Sequence, residues 1–144
     1  MGAKSADEIW GTEYDWLGCD GVGHVALFTT AGGSYPPEEF LLDTDVHDEA
    51  IEAILARPAV TTARFAPDLR PDLVNIWRLA AERGLFAYDG ELYGGPYRLN
   101  AAPEVPVHVD RLPQNAIEVL RRLTLHRLRF ADLTVISEQD LRGA

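Results

Sequence analysis

Apolar and polar positions along the chain alternate between two periods, and the changes of period mark the elements. The run Gly23-His24-Val25-Ala26-Leu27-Phe28-Thr29-Thr30-Ala31 is rich in β-formers and closes on Gly32-Gly33-Ser34, which predicts a strand. Asp15 to Cys19 is its expected hairpin partner, with Asp20-Gly21 as the turn, because an Asp-Gly step tolerates positive φ. Gly21-Val22-Gly23 lacks the third glycine and following helix of a dinucleotide loop, so it reads as a turn. After the break at Pro36-Pro37, the residues Val46, Ala50, Ile51, Ile54 and Leu55 recur at helical spacing until Pro58. Asp48, Glu49 and Glu52 fall largely on the opposite side of that helix.

A second helix is expected from about Pro71 to Arg83, with Leu73, Ile76, Trp77 and Ala80 as its apolar stripe and Gly84 as its terminator. Trp77 reads as a core anchor within that stripe. Leu85 to Tyr88 and Leu92-Tyr93 flank Asp89-Gly90-Glu91 and predict a second hairpin. Gly94-Gly95-Pro96 then bends the chain before Tyr97, and Val105 to Val109 offers another short strand. Pro113 opens a third helix to about Leu123, with Ile117, Leu120 and Leu123 inward, and the tail from Leu128 to Ile136 predicts one or two last strands. The pattern therefore specifies one α+β domain over residues 1–144: a mainly antiparallel sheet of about five to seven strands with about three helices packed on it.

Charge changes this picture more than composition does. The net charge is −10, and it is unevenly placed: between Ser5 and Ala56 there are twelve Asp and Glu but no Lys or Arg. From Arg57 onward twelve Arg face eleven acids, with a local basic cluster at Arg121, Arg122, Arg127 and Arg129. An acidic front repels phosphate backbones and anionic lipid and attracts basic proteins, so neither nucleic acid nor membrane is expected as a partner. The basic cluster lacks interleaved aromatics, and it reads either as a complement to the third helix's C-terminus or as an internal counter-charge to the acidic front. The first residues carry no apolar signal core, and no stretch approaches the roughly 20 apolar residues of a membrane span. With Cys19 as the only cysteine, a cytoplasmic location is expected.

The densest grouping of reactive side chains is Asp43-Thr44-Asp45-Val46-His47-Asp48. Asp43, Asp45 and His47 are ligand types for a small metal-assisted hydrolase, yet the ordered spacing and glycine of a calcium loop are missing. Helix capping by Asp45 or Thr44 explains the segment without an ion, so no metal or cofactor is expected. His24, His108 and His126 offer general bases, and Ser34 and Cys19 offer nucleophiles, but no G-x-S-x-G elbow, H-E-x-x-H pair or phosphate loop joins them. No catalytic residue is therefore assigned.

The segment Asp15 to Gly32, together with Arg83 to Asp89, Gly95-Pro96-Tyr97 and Leu112-Pro113, resembles small bacterial immunity-type proteins associated with polymorphic toxin systems. The resemblance implies a cytoplasmic inhibitor that binds a cognate toxin, and it carries no catalytic residues. Charge points independently to a basic protein as partner, through electrostatic steering of encounter. The expected docking residues are Tyr35, Glu38, Glu39, Asp43, Asp45, Asp48, Glu49 and Glu52, with Tyr14, Trp16 and Phe40 as further aromatic candidates. A homodimerising structural module remains a third reading.

Overall fold

Asp15–Asp20 (β1) and Val25–Thr29 (β2) pair antiparallel as their pattern predicts, with Trp16 opposite Phe28 and Leu17 opposite Leu27. The computed structural model describes residues 2–66 and 75–144, and the elements named below are those of these residues. Ala6–Ile9 (α1) precedes the hairpin, and Glu38–Leu42 (α2) and Thr44–Leu55 (α3) follow it. Ala63–Phe65 (β3), Ile76–Glu82 (α4), Phe86–Asp89 (β4) and Tyr97–Pro103 (β5) form the middle of the chain. Gln114–Arg122 (α5), Thr124–Leu125 (β6), Val135–Ile136 (β7) and Glu138–Arg142 (α6) complete it.

The seven strands make one open, mixed sheet in the order β3-β5-β4-β2-β1-β6, with β7 added against β5. β2 runs parallel to β4, and β1 runs parallel to β6, while the other pairs are antiparallel. The α+β class is as expected from the pattern, and the two parallel pairs add long crossovers that local periodicity does not reveal. No helix among the described residues is long and apolar enough to cross a membrane.

Alternation along the strands sorts the core into two faces. Leu17, Leu27 and Ala87 point toward α3, α4 and α5, whose Ile51, Ile54, Ala80, Val119 and Leu120 pack on them. Trp16, Phe28, Tyr88 and Tyr97 point the other way, where Ile9, Phe40, Phe130, Ile136 and Leu141 cover them. The second face is thus closed by the two ends of the chain, and by Phe40 of α2.

Several sequence expectations are corrected. Leu92-Tyr93 is not a strand; the antiparallel return for β4 is β5, because Gly94-Gly95-Pro96 delays pairing until Tyr97. Val105 to Val109 forms only an isolated bridge between His24 and His108 before a 3₁₀ turn at Val109–Arg111. The second helix starts after Asn75, whose side chain accepts the Arg78 N–H at 2.9 Å; the expected start at Pro71 and the stripe residue Leu73 lie outside the described residues. Ile76 and Trp77 are half-buried and Ala80 is buried, as the stripe requires. On α5 the buried residues are Ala116, Val119 and Leu120, with Ile117 half-buried.

Gly84 ends α4 as expected. Its φ is +90°, its N–H donates to the Ala81 carbonyl, and the Leu85 N–H reaches back to the Ala80 carbonyl, both at 3.0 Å. This pair of bonds is the Schellman closure, which needs a left-handed residue at that point. A Cβ at Gly84 would also meet the Val107 nitrogen at 2.8 Å. Gly84→Val is expected to destabilise the fold by at least about 1–2 kcal/mol through positive φ. The check is the midpoint of urea denaturation; an unchanged midpoint contradicts this account of the helix end.

Candidate functional site

The acidic segment folds into two short-spaced helices that divide its side chains by role. Glu38 and Glu39 sit in the first turn of α2, where carboxylates are favoured by the helix dipole, and Phe40 turns inward and is fully buried. Asp43 ends α2 and caps α3: its Oδ1 accepts the N–H groups of Asp45 at 3.1 Å and Val46 at 3.4 Å. The cap is therefore Asp43, and neither Asp45 nor Thr44. Thr44 is instead buried, and its hydroxyl donates to the Gly2 carbonyl at 3.1 Å, docking the chain start beside Asp43. Asp45, Asp48, Glu49 and Glu52 follow at helical intervals and are all exposed, while Ala50, Ile51 and Ile54 face the sheet.

His47 does not join these acids. It is buried, its Nδ1 accepts the Leu17 N–H of β1 at 3.1 Å, and its ring meets Phe40 edge-on at 5.0 Å. Burial lowers its pKa to about 4, partly opposed by Asp43, so it is neutral near pH 7. Asp43 and His47 are thus both engaged in structural hydrogen bonds. Among the described residues no three His, Cys, Asp or Glu side chains are grouped to hold a metal ion.

The remaining predicted residues separate further. Trp16, like Phe40, belongs to the core, and Tyr14 is half-buried with its ring 6.3 Å from that of Phe40. Tyr35 is half-buried, with the Arg142 guanidinium carbon 4.5 Å over its ring and its carbonyl accepting the Tyr97 hydroxyl at 2.8 Å. Cys19 is buried, and its pKa is raised to about 11 by burial and by Asp20 and Asp110, which disfavours the thiolate. His24 and His108 lie beside Asp20 and Asp110 respectively, at the β1–β2 turn.

The acids form no close internal ion pair among the described residues. None of Glu38, Glu39, Asp43, Asp45, Asp48, Glu49 and Glu52 forms a salt bridge within 4.0 Å among the described residues; those formed are Arg64–Glu104, Arg78–Glu82, Arg142–Glu138 and two His–Asp contacts. Arg122 lines a groove of about 340 Å³ with Glu39, Glu49 and Glu118, and Arg142 interacts electrostatically with Glu38. Arg121, Arg127 and Arg129 are exposed and also unpaired among the described residues, so the expected internal pairing of the basic cluster with the acidic front is not present.

Sequence reasoning missed how far the acidic surface extends. Asp15, Thr29 and Asp89 stand in register across β1, β2 and β4, on the side that faces the helices. Trp77 of α4 donates its indole N–H to the Thr29 hydroxyl at 3.3 Å, and that hydroxyl donates to Asp89 at 2.7 Å. Asp15 has its pKa pushed up to about 6, first by burial and then by the like charges of Glu13, Asp48 and Asp89. Asp48 is raised by partial burial and by Asp45, Glu52 and Glu49; Asp89 is raised by burial, against the stabilising bonds from Thr29, Gly90 and Asn100. The stripe on α3 therefore continues electrostatically through Asp15 to the sheet end. Chemically this arrangement is a field of like charges that a cationic surface relieves.

The fold is of the α+β class, with a mixed, open sheet and the acidic helix at one side. No protein-family model matches the chain, and no curated protein or solved structure is significantly similar to it.

The raised Asp15 pKa has a signed consequence. A carboxyl that binds its proton more tightly in the folded state opposes folding once ionised, so its stability contribution is lost as pH rises from about 4 to about 6. Asp15→Asn is expected to stabilise the protein by about 1–2 kcal/mol at about pH 8, after discounting for partial exposure. Near pH 4 the gain should vanish. The His47 contribution has the opposite sign, being lost as pH falls from about 6.5 to about 4, but it is common to both proteins and cancels in the difference. Thermal denaturation across this range checks the claim, and a gain independent of pH contradicts it.

Proposed function

We propose that this chain is an acidic protein-binding inhibitor that docks on a basic partner protein, in the manner expected of an immunity protein and its cognate bacterial toxin. The observation that carries the reading is the exposed row Asp45, Asp48, Glu49 and Glu52 on α3, which has no salt bridge among the described residues and, through Asp48, repels a further acid at Asp15. Like charges held close on a rigid element disfavour the isolated state and are relieved when a cation approaches. The helix itself is fixed by the Asp43 cap and the apolar face against β1, so the charges are presented without reorganisation. Long-range attraction of this kind acts on encounter and raises association rates by about 10–10³-fold at low salt.

Inhibition in this reading is steric. The chain contributes no reacting group; it covers the partner's working surface, and its acids occupy positions that an anionic substrate of a basic enzyme would take. Reversing Asp48, Glu49 and Glu52 to Lys is expected to slow association with the protein encoded by the adjacent open reading frame by about 10-fold or more and to flatten its salt dependence. Stopped-flow association at low and high salt, with circular dichroism to confirm folding, makes the test. If that protein does not bind, or if the charge reversal leaves rate and salt slope unchanged, the proposal is wrong.

A further inference from the structure

We infer that the loop end of the sheet, centred on Trp10, Leu92 and Tyr93, is the anchoring centre of the contact with a basic protein, and that the α3 acids form its rim. The inference rests on the reading of the chain as a binder of basic protein and names the part of the surface that holds the partner once it has arrived.

Trp10 is 59 % exposed and Tyr93 is 89 % exposed, whereas every other Trp, Tyr and Phe is buried or half-buried. Leu92 is also exposed. These residues come from two loops that meet at Gly32, where an added Cβ would stand 3.2 Å from the Gly11 backbone and 3.3 Å from Leu92 Cδ1. Exposed aromatics on two adjoining loops, one of them, Trp10, lining a hollow of about 230 Å³ with Ile9, Gly33, Tyr35 and Gly94, are the composition of a protein-binding centre.

Both loops are held firmly. α1 is closed by the reciprocal Ser5–Glu8 cap, Ile9 is buried, and the Gly11 N–H donates to the Gly32 carbonyl at 2.7 Å, so Trp10 projects from backbone fixed on both sides. The turn carrying Leu92 and Tyr93 is fastened by the buried Ser34, whose hydroxyl accepts the Glu91 N–H at 2.8 Å and donates to the Gly95 carbonyl at 3.0 Å. The backbone here makes several left-handed turns, most of them at glycine. Gly11, Ala31, Gly32, Gly94 and Gly95 all have positive φ, and Ala31, at φ 54°, is the one non-glycine among the described residues that does. A non-glycine such as Ala31 keeps this conformation only where surrounding structure holds it. Aromatics presented on fixed backbone lose little freedom on binding.

Charge selects the occupant. Asp7, Glu8, Glu13 and Glu91 are exposed around the loops and form no salt bridge among the described residues, although Lys4 acts on Glu8; Arg142, the cation over Tyr35, is already committed to Glu138. Glu13 adjoins Asp15, which is coupled to Asp48, so this end of the sheet and the α3 row form one acidic surface. A second copy of the chain meeting this face with its own like face would oppose acids to acids, which costs binding. A basic polypeptide that offers apolar pockets between its cations fits both features.

The experiment uses the full chain and the protein encoded by the adjacent open reading frame, with Trp10→Ala, Tyr93→Ala and the Asp48/Glu49/Glu52 charge reversal compared by surface-plasmon kinetics. Each aromatic variant is expected to raise the dissociation rate by about 30-fold or more with association nearly unchanged, while the charge reversal acts on association. Melting temperatures should match wild type, because both side chains are exposed. Tight binding by wild type with unchanged dissociation in both aromatic variants overturns this inference and leaves the proposed function standing. Absence of wild-type binding overturns both, and self-association of wild type that Trp10→Ala abolishes overturns the choice of occupant.

Discussion

The stack of Trp16, Phe28 and Tyr88 across three adjacent strands is the contact on which the rest of the molecule depends. Trp16 and Phe28 lie 3.9 Å apart and nearly parallel, Phe28 and Tyr88 lie 5.2 Å apart, and Tyr97 meets Trp16 and Phe28 edge-on. These rings are fully buried, and truncating one such as Phe28 would cost about 3–5 kcal/mol. Their polar atoms extend the constraint outward. Trp16 donates to the Tyr97 hydroxyl at 3.1 Å, Tyr97 donates to the Tyr35 carbonyl at 2.8 Å, and Tyr88 donates to the Leu133 carbonyl at 2.7 Å. The loop after β2 and the chain's last third are thus fastened to the same rings. Asp20 adds a second tie: one carboxylate oxygen closes the β1–β2 turn through Val22 and His24, and the other accepts the Phe130 N–H at 2.9 Å.

Legibility in the sequence follows from how local each interaction is. The β1–β2 hairpin, α3 and the Gly84 helix end are decided by neighbours within a few residues, and their signals stand in the chain. The parallel pairing of β2 with β4 is decided by a crossover through α2, α3, β3 and α4, so the alignment of Asp15, Thr29 and Asp89 cannot be read from any local window. Leu92-Tyr93 imitates a hairpin arm by spacing alone, although its side chains face solvent. One missed element did have a signal: Ser137 and Asp140 form the reciprocal cap that opens α6, and the Ser-x-x-Asp spacing is its signature. The same holds for Ser5-x-x-Glu8 at α1, the element that positions Trp10.

For the candidate surface the division is similar. The exposed acids of α3 were visible because a cap and an amphipathic period place them, whereas the aromatic candidates were not: Trp16 and Phe40 lie among the acids in sequence but serve the core. Trp10 and Tyr93 lie far apart in sequence, and their loops are brought together at Gly32. The resulting surface combines a charged approach with an apolar centre, two features with separate kinetic consequences. A basic surface also exists in the molecule, since the exposed Arg121 and Arg122 end α5 and the exposed Arg127 and Arg129 follow β6.

That alternative makes the decisive measurement a mapping of the contact itself. Backbone amide hydrogen exchange of the free chain can be compared with that of its complex with the adjacent-gene protein. The account requires new protection in residues 10–13, 31–34, 45–52 and 90–95. Protection confined to residues 121–129, with those segments exchanging as in the free chain, would contradict it.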